Sequence, residues 1–90
     1  MTVAIHLHPL FYDLADGNEV IEVQGTTVGA CVEALVSRYP GLRKLIYDKA
    51  GELQTFIEIY VNRKAACPDE LKRPVGDGDR IHLIVMIAGG

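Results

Sequence analysis

This 90-residue sequence has few cysteines, no excess of basic residues and no long apolar run, and each of these shortages excludes a class of protein. The two cysteines form no CxxC pair, so neither a zinc-finger spacing nor a disulfide framework is indicated. A net charge of −3 argues against a general nucleic-acid binder, which would need a basic face. The longest apolar stretch near the end falls far short of the roughly 20 residues of a membrane span. No Lys or Arg precedes an apolar core at the N-terminus, so we expect no secretory signal and a cytoplasmic protein with reduced thiols.

The C-terminal stretch is the most distinctive part of the chain. A β-branched and aliphatic run from Ile81 to Ile87 predicts a strand, and the chain then ends on Ala88, Gly89 and Gly90. Because Gly lacks Cβ, such a tip can thread a channel too narrow for any other residue. The α-carboxylate of Gly90 is ionised at neutral pH and is the candidate reactive group. The alternative is that a glycine-ended tail is only a frayed terminus.

Apolar residues that alternate with polar ones predict the other strands. These strands are Thr2 to His8, Glu19 to Gln24 and Phe56 to Asn62, with one short strand expected between Ala65 and Val75. The first two lie close enough in sequence to form an antiparallel hairpin with a long loop, in which Leu10 to Ala15 is a looser segment.

One main helix follows Gly25-Thr26-Thr27, where either threonine can cap the first turn. Val28, Cys31 or Val32, Leu35 and Tyr39 form its apolar stripe, so Cys31 is expected in the core and Cys67 nearer the surface. Pro40-Gly41 ends the helix, and Leu42 to Tyr47 suits a short second helical turn. Gly76-Asp77-Gly78-Asp79 predicts a tight turn into the last strand. The predicted order is β-β-α-β-(β)-β.

Five short motifs together resemble the MoaD/ThiS family of ubiquitin-like sulfur carriers. They are Thr27-Val28-Gly29, Arg38-Tyr39-Pro40-Gly41-Leu42, Ile59-Tyr60-Val61-Asn62, Pro74-Val75-Gly76-Asp77-Gly78-Asp79 and Ile87-Ala88-Gly89-Gly90. The resemblance implies an α+β chain with the β-grasp (ubiquitin-like) fold, a mixed sheet of four to five strands packed on one main helix. Residues 1–90 then form a single domain with an exposed Gly-Gly tail.

The resemblance also implies a chemistry for the tail. An E1-like adenylyltransferase would use ATP to adenylate the Gly90 carboxylate, and sulfur would then replace one oxygen to give a thiocarboxylate. Gly89 and Ala88 would form the slim leader to this group. The chain has no GxxxxGK phosphate loop and no catalytic constellation, so we expect a protein co-substrate or small subunit that binds no cofactor itself.

The destination of the sulfur stays open between several enzymes. Length and the segment Arg38-Tyr39-Pro40-Gly41-Leu42 suit the small subunit of molybdopterin synthase, so molybdenum cofactor biosynthesis, with the large subunit as acceptor, is our first expectation. The segment Phe56 to Asn62 is similar to carriers that serve cysteine synthesis, with a cysteine synthase-like acceptor. Val85-Met86-Ile87 replaces the proline-containing tail of many relatives and leaves this choice unresolved, whereas the extra segment Leu42 to Thr55 fits the shorter thiamine-pathway carriers less well.

The side of the sheet that carries the histidines is the predicted docking surface. His6, His8 and His82 could cluster there, but no carboxylate or cysteine pattern supports a metal site, and we expect none. The same face should carry Glu58 and an unusual share of apolar and aromatic residues, which often mark interfaces. The predicted partner-binding residues are Tyr60, Ile84, Met86, Ile87, Ala88, His6 and His82; the alternative is that a loop or a second copy covers the face.

Two rival functions remain at this stage. In the first, Gly90 is activated in the same way but forms an isopeptide bond with lysines of other proteins, as in ubiquitin-like modifiers. In the second, the chain is a passive interaction module whose glycine tail is incidental, and deletion of Gly89 and Gly90 would leave its function unchanged.

Overall fold

The computed structural model describes residues 2–86 and contains a mixed five-stranded sheet beside one main helix. The strands are β1 (Thr2–His6), β2 (Val20–Gln24), β3 (Ile57–Val61), β4 (Lys64–Ala65) and β5 (Arg80–Val85). The helices are α1 (Val28–Arg38) and the short α2 (Arg43–Ile46), and three 3-10 segments span Pro9–Ala15, Pro40–Leu42 and Glu70–Lys72. The predicted order of strands and main helix is therefore confirmed.

The sheet has the strand order β2-β1-β5-β3-β4, which places the last long strand at its centre. β1 pairs with β2 in antiparallel register, as the hairpin prediction requires. β1 and β5 run parallel and pair Ile5 with Ile81 and His6 with His82, while β3 lies antiparallel to β5 on the other side. The first and last strands are thus neighbours, and the residues that face each other across them are fixed by this register.

The core lies between the sheet and α1. Thr27 caps the helix, because its Oγ1 accepts a hydrogen bond from the Ala30 amide at 3.1 Å. The buried face of the helix consists of Val28, Cys31, Val32, Leu35 and Val36. It meets Val3 and Ile5 of β1 and their neighbours, and each such aliphatic side chain contributes about 1.5–3 kcal/mol when it leaves water. Burial raises the pKa of the Cys31 thiol, as suits a core residue, whereas Cys67 is exposed as predicted.

The segment predicted as loose is instead a 3-10 helix, Pro9–Ala15. His8 caps its first turn by accepting a hydrogen bond from the Leu10 amide at Nδ1, over 3.1 Å. Phe11 is fully buried, so this connection closes one side of the core. This seven-residue 3-10 segment buries only Phe11 and Ala15. The sequence therefore shows no apolar stripe from which a helix could be predicted here.

Strand ends account for the other differences from the prediction. β1 stops at His6 rather than His8 because the chain turns into the 3-10 segment. The short strand β4 begins at Lys64, directly after the two-residue turn Asn62-Arg63, and so lies just before the stretch expected to hold it. β5 ends at Val85, and the predicted strand residue Ile87 lies outside the described residues.

The turn that feeds β5 is held by its own carboxylates, as predicted for Asp77 and Asp79. Asp79 accepts hydrogen bonds from the Gly76 amide at 2.7 Å and from Asn62 Nδ2 at 2.9 Å. These two bonds lower the pKa of the Asp79 carboxyl. Asp77 accepts from the Thr2 amide at 2.8 Å, which ties the turn to the start of β1. Both carboxylates therefore fix the base of the central strand.

Candidate docking face and C-terminal tail

One side of the sheet packs on α1, and the opposite side, here called the open face, carries half-buried and exposed side chains. Direct pairing across the strands aligns one row on this face. The row runs Val20, His6, His82, Tyr60 and Ala65, from β2 to β4. His6, His82 and Tyr60 therefore lie side by side on the open face, and their role in docking stays a prediction.

The centre of the row is a pair of stacked imidazoles. The rings of His6 and His82 lie 4.5 Å apart between centroids, with planes inclined by 20°. The pKa of His82 is lowered, chiefly by burial and then by the nearby charges of His6, Arg80 and Arg63. His82 is consequently neutral at pH 7, and the stacked rings present a flat surface.

His8 does not join this pair. Its Nδ1 caps the 3-10 segment, and its ring lies edge-on to Phe11 with centroids 6.4 Å apart. The suggested cluster of three histidines is therefore wrong, because β1 ends before His8 and the chain turns away. Within residues 2–86 no group of three or more His, Cys, Asp or Glu side chains is placed to hold a metal ion.

Tyr60 and Glu58 occupy alternate positions on β3 and share the open face. The Tyr60 hydroxyl donates to Glu58 Oε2 over 3.4 Å, and the negative charge of Glu58 is the main cause that raises the Tyr60 pKa. Glu58 also pairs directly with Ile84 of β5. The hydroxyl of Tyr60 thus stays a neutral hydrogen-bonding group beside the histidine pair.

An apolar end completes the face near the C-terminus. The side chains of Ile84 and Met86 are 36% and 52% exposed, respectively. The Met86 amide donates to the Phe56 carbonyl over 2.7 Å, so the backbone stays attached to β3 up to the last described residue. The sequence-predicted site residues Ile87, Ala88, Gly89 and Gly90 lie outside the described residues.

Two features of the face escaped the sequence analysis. In β2, Ile21 and Val23 are buried, whereas Val20 is 44% exposed at the edge of the row. Arg80 and Arg63 stand near His82 and give the opposite end of the face a positive charge. Only the register between strands brings these residues together, and alternation within one strand does not reveal it.

Comparison with known proteins now supplies the family. The model of the ThiS family matches residues 11–90. The chain belongs to the ThiS family. This confirms the resemblance to the MoaD/ThiS ubiquitin-like sulfur carriers.

Two curated relatives cover almost the whole chain. Small archaeal modifier protein 1 of Haloferax volcanii is 33% identical and covers 90% of this chain and 95% of its own. The sulfur carrier protein CysO of Mycobacterium tuberculosis is 27% identical over 100% of both chains. The family thus includes relatives named as carriers and as modifiers.

Solved structures confirm the β-grasp fold. The Amycolatopsis orientalis BexX/CysO complex contains a chain that is 28% identical, with a TM-score of 0.86 and coverage of 98% of this chain and 99% of that one. A complex of molybdopterin-converting factor subunits from Helicobacter pylori is more distant, at 20% identity and a TM-score of 0.64 over 100% of both chains. At that identity the second likeness shows the fold alone.

No helix within residues 2–86 is long and apolar enough to cross a bilayer.

Proposed function

We propose that this protein carries sulfur as a thiocarboxylate on Gly90 and hands it to a biosynthetic enzyme. The observation that carries the proposal is the attachment of Met86 to Phe56 at 2.7 Å, followed in sequence by Ile87-Ala88-Gly89-Gly90. A fixed strand end thus precedes a tail of residues 87–90, four residues that can span at most about 14 Å. Membership of the ThiS family supports this use of the tail.

The chemistry needs a partner at each step. A carboxylate is a poor acyl donor because its leaving group would be oxide. Attack of a Gly90 oxygen on the α-phosphorus of ATP releases pyrophosphate and forms an acyl-adenylate, and a sulfide-level donor then displaces AMP. The product has exchanged one carboxylate oxygen for sulfur. We assign adenylation to an E1-like partner that uses ATP, with no cofactor bound to this chain itself.

The open face is the surface proposed to receive these partners. Tyr60, Ile84 and Met86 offer aromatic and apolar contact area, and the stacked rings of His6 and His82 give a flat centre. Such residues are typical of the cores of protein interfaces. Ile87 and Ala88, which continue from Met86 in sequence, would then enter the partner's channel ahead of Gly89 and Gly90.

Two acceptors of the sulfur are proposed for direct comparison. The full-length match to a CysO sulfur carrier at 27% identity favours an enzyme of the cysteine synthase type. The molybdopterin synthase large subunit, our first expectation from sequence, has the weaker support, since the molybdopterin-converting factor from Helicobacter pylori is 20% identical. Incubation of the thiocarboxylate form with each purified acceptor and its substrate identifies the one that releases unmodified Gly90.

A second candidate function is protein modification through Gly90. It is favoured by the 33% identity to a protein named as a small archaeal modifier. The activation step is the same, but the acyl group passes to a lysine amine and forms an isopeptide bond. Conjugates of higher mass then appear, whereas a carrier returns as the free chain.

Reconstitution with an E1-like enzyme, ATP and sulfide tests the proposal. Intact mass spectrometry should show one oxygen-to-sulfur exchange, mapped to Gly90 by alkylation of the thiocarboxylate. A chain without Gly90 is the control and should stay unmodified while it keeps its melting temperature, because an end residue adds little to the core. Absence of the exchange with an active enzyme refutes the carrier proposal. A large loss of stability in the control refutes the expectation that Gly90 contributes little to the stability of the fold.

A further inference from the structure

A groove of about 830 Å³ lies on the α1 side of the sheet, away from the open face. Its walls come from α1, α2, the loop that follows α2 and the 3-10 segment Glu70–Lys72. Gly29 contributes no side chain on the α1 wall, and the half-buried side chains of Tyr47 and Leu71 form apolar surface in it. Its size falls within the range of ligand sites, about 300–1,000 Å³.

The charged side chains that line this groove carry more positive than negative charge. Arg43 is paired with Glu33 at 2.8 Å, and Asp48 Oδ1 accepts hydrogen bonds from the backbone amides of its own loop at 2.9 and 3.0 Å. Lys44 and Lys49 are exposed and have no ion-pair partner within residues 2–86. A chain with a net charge of −3 therefore displays two free ammonium groups here.

A second groove of about 650 Å³ continues the first one and has the opposite charge. Gly51, Gln54 and Leu71 line both grooves, which therefore adjoin and are together called the channel. The rim of the second groove carries the carboxylates of Glu52, Asp69 and Glu70 against the single cation Lys72. No ion pair involves these four side chains in the part of the chain that the structure describes.

We propose that this channel binds an extended segment of a partner protein with acidic residues at one end, an apolar residue in the middle and basic residues at the other. The acidic residues meet Lys44 and Lys49, the apolar side chain packs on Leu71, and the basic residues meet Glu52 and Glu70. Opposite charges on two adjoining grooves suit an extended chain that lies across both, since a compact ligand of one charge would meet repulsion in one of them.

The consequence is a second attachment point that leaves the open face free. A partner held on the α1 side does not compete with an enzyme that engages Tyr60 and Met86 on the opposite side. The inference stands on the grooves and their charges and does not depend on the thiocarboxylate chemistry.

Selection of peptides from a phage-displayed random library on the intact protein tests the proposal. We expect enrichment of sequences with an acidic end, a central apolar residue and a basic end. The binding of a selected, fluorescently labelled peptide is then measured by anisotropy against variants. Lys44→Glu/Lys49→Glu and Glu52→Lys/Glu70→Lys should each weaken it roughly tenfold or more, since each turns attraction into repulsion. Both double variants change exposed or half-buried polar side chains, and unchanged melting temperatures verify their folding.

Two matched controls locate the peptide. Lys64→Glu reverses an exposed charge outside the channel, and Tyr60→Ala alters the open face, so both should leave the affinity within about twofold. The proposal is overturned if no peptide is enriched, if the enriched peptides lack opposite charged ends, or if the double variants bind as the wild type does. Loss of binding in Tyr60→Ala also overturns it, because the peptide then sits on the open face.

Discussion

His6 and His82 stack with ring centroids 4.5 Å apart on two parallel strands that pair them directly. Their contact unites the start and the end of the chain at the centre of the open face. The pKa of His82 is lowered by burial first and by the charges of His6, Arg80 and Arg63 next. Proton binding by this residue is therefore linked to stability.

We expect this linkage to make the protein less stable in mild acid. Because the folded-state pKa of His82 lies below its ordinary value of 6.5, the unfolded chain binds the proton more readily. The stabilisation is complete above pH 6.5 and falls as the pH decreases toward the lowered pKa. In thermal melts between pH 5 and 7.5, His82→Gln should have a shallower slope than the wild type over this window. Identical slopes in the two proteins would contradict the linkage.

Docking on the open face can be tested with an activating enzyme. Tyr60→Ala and Met86→Asp should each weaken binding about tenfold or more, because they remove an aromatic contact and place a charge in an apolar interface. Leu10→Asp is the matched control, since Leu10 is 57% exposed but lies on the 3-10 segment outside the face. Titration calorimetry measures the three affinities. Equal binding by all three variants would remove the open face from the proposal.

Gly29 is expected to tolerate no side chain. A Cβ there would lie 2.8 Å from the Leu71 carbonyl oxygen and 3.3 Å from the Leu71 Cβ. The gain in helix propensity from Gly to Ala is about 1 kcal/mol, and overpacking against backbone costs about 1–3 kcal/mol. Gly29→Ala should therefore lower the free energy of unfolding in urea melts. Ser37→Ala on the exposed side of the same helix is the control; a rise in stability in both would show that Leu71 moves away freely.

The turn between β3 and β4 offers a stabilising change. Asn62 and Arg63 have φ angles of 50° and 73°, the left-handed values of a two-residue hairpin turn. A left-handed conformation costs a non-glycine residue about 1–2 kcal/mol, so Arg63→Gly should raise the melting temperature. Asn62→Gly should not, because Asn62 also accepts a hydrogen bond from the Arg80 amide at 3.0 Å and donates to Asp79 at 2.9 Å. A loss of stability in Arg63→Gly would show that its side chain matters more than its backbone strain.

The sequence predicts the fold well wherever a periodic pattern is long. Thr27 as a cap, the stripe of α1 and the alternation in β3 each specify one element, and the family motifs specify their arrangement. The 3-10 segment around Phe11 was missed because its burial depends on a gap between distant elements. No local pattern encodes such a gap.

The candidate site was only partly predictable for a related reason. Alternation assigns His82 and Tyr60 to one side of the sheet, and the parallel pairing of β1 with β5 brings His6 beside them. His8 has the two-residue spacing from His6 that would place it on the same face, but its side chain caps the following 3-10 segment instead. The basic and acidic halves of the channel near Leu71 come from three separate stretches of chain, and only the folded arrangement reveals them.

The central position of β5 also has a mechanical consequence. This strand is hydrogen-bonded to β1 on one side and to β3 on the other. A pull along the axis of β5 loads both ladders in shear, so many bonds share the force at once instead of opening one by one. An enzyme that gripped the C-terminus, as proposed, could therefore pull along β5 without peeling the sheet from its edge.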